Sequence, residues 1–278
     1  MNLQPAMRMQ PRPWGWKRAM VGAGVGFTLF ILTSVIVAIV IAIAGSEPIT
    51  SDVGDAFEIA GRIARYTDER LAAIATGRDL PEPPLLKADI TTVRIAFIVT
   101  PVYQVALIGA VIVISGRNIR QLIGDLRLHR FDFQTVWVAG VALGVTYIGV
   151  VLYASVMDAI GPDILVPEST VPSSVTRDPF ALALTGVAAV CLAPISEELF
   201  YRGFLFGGLL RLGFWPSGAI TAMLFSLTHF DPGSILPFFG IGMVLAWLAW
   251  RRGSLWDSIV LHFMFNGTSF ALLLLTEV

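Results

Sequence analysis

The sequence predicts an all-α fold: a polytopic transmembrane helix bundle of about seven spans, with a buried polar site between spans 4, 5 and 7. Three observations carry this. The first is composition. Of 278 residues, 55% are hydrophobic and only 14% charged, with mean hydropathy +0.75, more apolar surface than a single soluble core can hide. The second is a series of apolar runs of bilayer-spanning length near 20–44, 93–115, 134–156 and 180–210, followed by shorter runs near 216–230, 236–250 and 255–275. The third is a set of polar residues, Glu197, Glu198, Arg202, His229, His262 and Asn266, inside the most apolar part of the chain. A charge at the bilayer centre costs roughly 2.5 kcal/mol or more, so such residues face a bundle interior and have a task there.

Composition also excludes. A net charge of −1, with no basic tract interleaved by aromatics, speaks against a nucleic-acid partner. The lone Cys191 rules out an intrachain disulfide and a C-x-x-C metal site, and its apolar surroundings read as those of a small buried packing residue.

In chain order, residues 1–18 form a cytoplasmic N-terminal tail whose proline-rich part before Trp14 is expected to be disordered. The run from Met20 to Ala44 exceeds a signal-peptide core and reads as a retained first span. Residues 19–176 hold spans 1–3 and an extracytoplasmic 45–92 loop. In that loop Phe57, Ile63, Leu71 and Ile74 alternate with charges at roughly helical spacing before Pro81, Pro83 and Pro84, as in an amphipathic surface helix ending in a rigid turn. Residues 177–278 hold the remaining spans and all six site candidates.

Basic residues fix the expected orientation. Arg8, Arg12, Lys17 and Arg18 precede span 1. Arg117, Arg120, Arg127 and Arg130 lie between spans 2 and 3, beside His129, which reads as a solvated loop residue. Arg211 follows span 4, and Arg251 and Arg252 close span 6. The positive-inside rule makes these cytoplasmic, with the N-terminus inside, as in a bacterial inner or plasma membrane. Trp14, Trp16, Trp137, Trp215, Trp247, Trp250 and Trp256 all fall at the same predicted ends, where indoles prefer the headgroup level.

Depth and spacing bring the polar residues together. At about 1.5 Å per residue, Glu197 lies roughly 21 Å from Arg211, His229 roughly 20 Å from Pro216, and His262 and Asn266 roughly 15–21 Å from Arg252. One layer of the membrane contains them all. His262 and Asn266, four apart, share a helix face, and so do Glu198 and Arg202, which sets up an ion pair that holds Glu198 ionised. Glu197 points elsewhere, toward a cavity. Pro194 withholds a backbone donor and crowds the Val190 carbonyl, which predicts a kink beside the carboxylates. Phe225 reads as packing next to the site, and Gly207, Gly208, Gly240 and Gly242 as close helix contacts.

Water held between Glu197 and His229 is positioned to lose a proton and attack a peptide carbonyl, with His262 and Asn266 stabilising the oxyanion. No cofactor is required by this scheme. The alternative is zinc or another divalent metal held by Glu197, His229 and His262 with water in the open position, although H-E-x-x-H is absent.

The patterns E-E-x-x-x-R at 197–202, F-x-x-x-H at 225–229 and H-x-x-x-N at 262–266, with the Arg252-Gly253-Ser254-Leu255-Trp256 entry to the last of them, resemble the CPBP family. These are the CAAX-protease and bacteriocin-processing intramembrane endopeptidases, Rce1-type prenyl proteases among them. The resemblance covers about 180–275. It implies a peptide hydrolase with a catalytic glutamate at Glu197, a supporting pair at Glu198 and Arg202, a water-activating histidine at His229 and an oxyanion group at His262 and Asn266. The implied partners are the lipid bilayer and a protein or peptide substrate with a membrane-associated tail. Two other classes stand beside it. One is a proton- or ion-coupled transporter with a buried relay, disfavoured by the lack of inverted repeats. The other is a non-catalytic membrane scaffold or immunity protein, for which Glu197→Gln is silent.

Overall fold

Each apolar run is a helix, because a chain in hydrocarbon must satisfy its backbone N–H and C=O groups within the segment. The computed structural model describes residues 8–44, 69, 72–73, 76, 78, 90–129, 131–161, 165–167, 178–229 and 231–276, and among these there is no strand. The helices are α1 (Gly15–Ala44), α2 (Ile90–Ser115), α3 (Ile119–Asp125), α4 (Gln134–Ile160), α5 (Pro179–Leu212), α6 (Phe214–Leu227), α7 (Ile235–Arg252) and α8 (Trp256–Thr276). Six of them are long and apolar enough to cross a membrane, and α6, at 14 residues, is the shorter seventh. The protein is an integral, multi-pass membrane protein. The amphipathic helix and proline turn expected in 45–92 lie almost wholly outside the described residues.

The chain falls into two compact units, Met1–Phe30 with Pro101–Val278, and Ile31–Thr100. All six site candidates belong to the first. Within it, lipid-facing and core-facing sides separate by helical period. On α4 the exposed apolar residues Trp137, Val141, Val145, Ile148, Leu152 and Val156 recur every three or four positions, while Thr135, Ala139 and Thr146 are buried. α7 packs most closely on α6, and α8 on α4 and α7. A Cβ at Gly242 would come 2.8 Å from Ala222 Cβ, so glycine permits the α6–α7 approach. Gly240, by contrast, has open space beside it and is no helix contact. α7 ends where Gly253, at φ 66°, adopts the left-handed conformation and returns its N–H to the Ala249 carbonyl.

Three local expectations fail for physical reasons. The proline-rich segment is not disordered from Arg8 onward. Met9 N–H donates to the Trp250 carbonyl at 2.7 Å, Arg12 N–H to that of Gly207 at 2.8 Å, and Trp14 Nε1–H to that of Phe204 at 2.9 Å. Arg8 lies over the Trp250 ring at 4.7 Å, and the Met9 and Trp14 side chains are buried. This arm binds through backbone groups, which composition does not register. Trp14 is therefore a core residue and not a headgroup anchor, whereas Trp16, Trp137, Trp215 and Trp247 remain exposed. Gly207 and Gly208 admit the arm: added Cβ atoms would strike the Arg12 stem, and Ala19 with Trp14.

Cys191 is exposed on α5, not buried; lipid, like a core, is apolar, so the surrounding run cannot distinguish the two. Finally, the basic 116–133 stretch contains α3. Its first turn is closed by a reciprocal capping box, Asn118 Oδ1 accepting from Gln121 N–H at 2.9 Å and Gln121 Oε1 from Asn118 N–H at 3.0 Å.

Candidate active site

Helix α5 supplies three of the six candidates and is unusual in its winding. Asp178 caps its start, accepting from Phe180 N–H at 3.0 Å, with Pro179 in the first turn. It is α-helical over Pro179–Gly186, π-helical over Val187–Leu192, α-helical over Ala193–Glu197 and π-helical again over Glu198–Phe206. Wide turns of this kind are frequent at functional sites. Pro194 produces a change of winding in place of a simple kink. Ala193 N–H bonds to the Ala188 carbonyl, and residue 194, next in the wide pattern, has no N–H to offer Ala189. The orphaned Ala189 carbonyl accepts from Asn266 Nδ2 at 2.7 Å. Asn266 thus ties α8 to the broken helix.

Glu198 and Arg202 lie within the second wide segment, both with 0% side-chain exposure. Arg202 Nη1 donates to Glu198 Oε1 at 2.9 Å, so the expected ion pair is present. The guanidinium also reaches the Gly242 carbonyl through Nη2 at 3.4 Å and lies 4.5 Å above the Phe225 ring. A bare charge in such a place costs several kcal/mol; a pair with extra hydrogen bonds largely offsets that.

His262, 4% exposed, links the two glutamates. Its Nδ1 is 3.0 Å from Glu198 Oε1 and its Nε2 is 3.8 Å from Glu197 Oε2. An ionised carboxylate only accepts, so Nδ1 carries a proton and Nε2 is left facing Glu197. Glu197 retains 16% side-chain exposure, the most accessible member of this group. His229 obeys the same logic: its Nδ1 is 3.0 Å from the Phe225 carbonyl, which accepts, and Nε2 is the remaining ring nitrogen. Phe225 stands between the two imidazoles, 5.0 Å from His229 and 5.7 Å from His262 by ring centroid. It packs the site as expected.

The metal alternative finds no ligand set. Among the described residues no three His, Cys, Asp or Glu side chains are arranged to hold an ion.

Sequence reasoning missed Gln104 on α2. Its Nε2 donates to Glu197 Oε1 at 3.2 Å, while its Oε1 accepts from Ser196 Oγ, and it is only 4% exposed. The available signal was a lone amide in an apolar run, far in sequence from the patterns at 197–202, 225–229 and 262–266. Beside the site lies an apolar cavity of about 350 Å3, walled by residues including Ala23, Gly26, Phe200, Leu224, Tyr201 and Thr228. Tyr201, four residues after Glu197, donates its hydroxyl to Thr228, next to His229, at 3.4 Å.

The region containing this constellation carries a family signature. Residues 179–268 match the family described as type II CAAX prenyl endopeptidase Rce1-like. Two curated proteins are similar. One is "Putative membrane peptidase YdiL" of Bacillus subtilis (strain 168), 30% identical over 87 residues, 31% of this chain and 36% of that protein. The other is "UPF0177 protein YxdF" of Lactococcus lactis subsp. lactis (strain IL1403), 27% identical over 124 residues, 40% of this chain and 68% of that protein. The chain thus spans about a third of the length of the first and two thirds of the second. No solved structure matches it.

Proposed function

We propose that this protein is an intramembrane endopeptidase that hydrolyses a peptide bond in a membrane-associated protein or peptide. The observation that carries the reading is the pair of consecutive glutamates on the two nitrogens of one buried imidazole: Glu198 at Nδ1, neutralised by Arg202, and Glu197 at Nε2, partly accessible. Adjacent carboxylates with such different surroundings take different roles. Glu198 orients His262. Glu197 is the general base.

In this scheme Glu197 takes a proton from a water whose oxygen attacks the scissile carbonyl carbon. His229 Nε2 is a second acceptor for that water, and His262, held as an imidazolium by Glu198 with protons on both ring nitrogens, stabilises the oxyanion through Nε2–H. The C–N bond then breaks as the proton held by Glu197 passes to the leaving amine. Asn266 acts at one remove, by bracing α5 at Ala189. The cavity at Tyr201 and Thr228 supports a substrate whose apolar portion stays in the membrane. The basic residues Lys17, Arg18, Arg117, Arg120, Arg211 and Arg251 support the N-terminus-inside orientation in a bacterial inner or plasma membrane.

The test compares protein termini in membranes containing the wild type or Glu197→Gln. A new terminus present only with the wild type names the reaction and the substrate together. Identical terminus profiles, with both proteins folded and equally abundant, refute the hydrolase.

A further inference from the structure

Glu197 on α5 faces the His262 imidazole on α8, yet among the described residues its hydrogen-bond donor comes from α2. The contact is directional. Gln104 Nε2 donates to Oε1 of Glu197 at 3.2 Å, and the carboxylate's other oxygen, Oε2, is the one 3.8 Å from His262 Nε2. The amide could face either way, but only one orientation presents a donor to the carboxylate; the other sets two acceptor oxygens against each other. Ser196, fully buried and adjacent to Glu197 in sequence, shares its one hydroxyl proton among Gln104 Oε1 and the Leu192 and Ala193 carbonyls, and its contact with Oε1 favours that orientation.

We propose that Gln104 is a positioning residue for the reaction. By pinning Glu197 Oε1, it holds Oε2, on the side of His262, in place to take the proton of the attacking water, and the Ser196 hydroxyl supports the amide that does this. The inference rests on the hydrolase reading above and adds a residue outside the 179–268 region that matches the family. The competing role for a buried glutamine between membrane helices is adhesive, holding α2 to α5. The two roles differ in what they do to the rate of the folded enzyme. A misaimed base slows the chemical step, with losses of about 10- to 100-fold for displacements near 1 Å, and leaves substrate binding as it was. Lost adhesion lowers thermal stability, and the enzyme that remains folded turns over normally.

Gln104→Met keeps the side chain's length and removes both polar ends. The full-length protein is assayed on a synthetic peptide spanning the wild-type-specific terminus, with thermal unfolding measured in the same detergent. The proposal expects kcat to fall about tenfold or more with KM within about twofold. Ser196→Ala, which frees the amide, is expected to lower kcat in the same sense by a smaller factor, and it serves alone if Gln104→Met does not fold. Wild-type kcat in the folded variant, or a rise in KM at constant kcat, overturns the proposal while leaving the hydrolase reading intact. A wild type with no Glu197-dependent product overturns that reading and this inference with it.

Discussion

At the scale of the residue, a fully buried and a half-buried arginine show how surroundings decide the value of a charge. Arg202 is fully buried against Glu198, and removing one member of such a pair strands the other. Arg202→Met is expected to cost about 3–5 kcal/mol, read as a drop in thermal midpoint, and adding Glu198→Gln to it should restore part of the stability. Equal midpoints for the two variants would contradict the pairing.

Arg12 is different. Burial pushes its guanidinium down to about 10, against the attraction of Asp125, and Arg127 adds to the lowering. The unfolded chain therefore holds this proton more tightly, so at neutral pH the buried charge works against folding, an effect relieved only as pH rises above about 10. Asp125 also has Arg117, at 3.5 Å. Arg12→Met, which keeps the stem against Gly207 and removes the disfavoured charge, is accordingly expected to leave stability at neutral pH unchanged or raised. Unfolding measured on the two arginine variants side by side checks the contrast.

The spacing rule made the Glu198–Arg202 pair legible, because four-residue neighbours on a helix meet in either winding. His262's attachment to both glutamates was not legible. Spacing gives the direction in which a side chain points from its own helix, but not the rotation of the neighbouring helix toward it.

At the scale of the element, the disruption in α5 is the feature on which Asn266 depends. Pro194 was readable as a break; that the break takes the form of two wide turns, with a free carbonyl at Ala189 answered from α8, required coordinates. Asn266→Leu is expected to cost about 1–3 kcal/mol by leaving that carbonyl unsatisfied. With Pro194→Ala, which restores an N–H at 194, the same replacement should cost much less. A double-mutant cycle on thermal stability measures the coupling, and strict additivity would show that proline and asparagine act independently.

The N-terminal arm is the element that composition concealed, since prolines and charges there look like a solvated tail while three of its N–H groups, one of them an indole, seek carbonyls on α5 and α7. Trp14→Phe keeps the ring stacked on Phe204 and removes the donor. It is expected to lower stability by about 1 kcal/mol and to raise the rate at which added protease cuts residues 8–14. An unchanged cutting rate would show that the indole N–H does not hold the arm.

At the scale of the whole molecule, hydropathy located all seven apolar helices to within a few residues, because lipid tolerates few alternatives to a continuous helix. It did not separate lipid-facing from core-facing apolar side chains, which is why Cys191 and Trp14 were misplaced in opposite senses. Orientation is testable with the exposed Cys191 replaced by alanine. Single cysteines at Trp215 and Ile160, both exposed, should react with a membrane-impermeant thiol reagent from the cytoplasmic and the outer side respectively, and the reverse pattern would invert the topology.

The central claim is that Glu197 is the base of a hydrolytic site whose neighbour Glu198 only orients His262. The most direct measurement is the turnover, by purified protein, of a peptide spanning the wild-type-specific terminus, compared between the wild type and Glu197→Gln at matched thermal stability. The account predicts that Glu197→Gln loses about three orders of magnitude or more in kcat while remaining folded. Turnover within a few-fold of the wild type would contradict it.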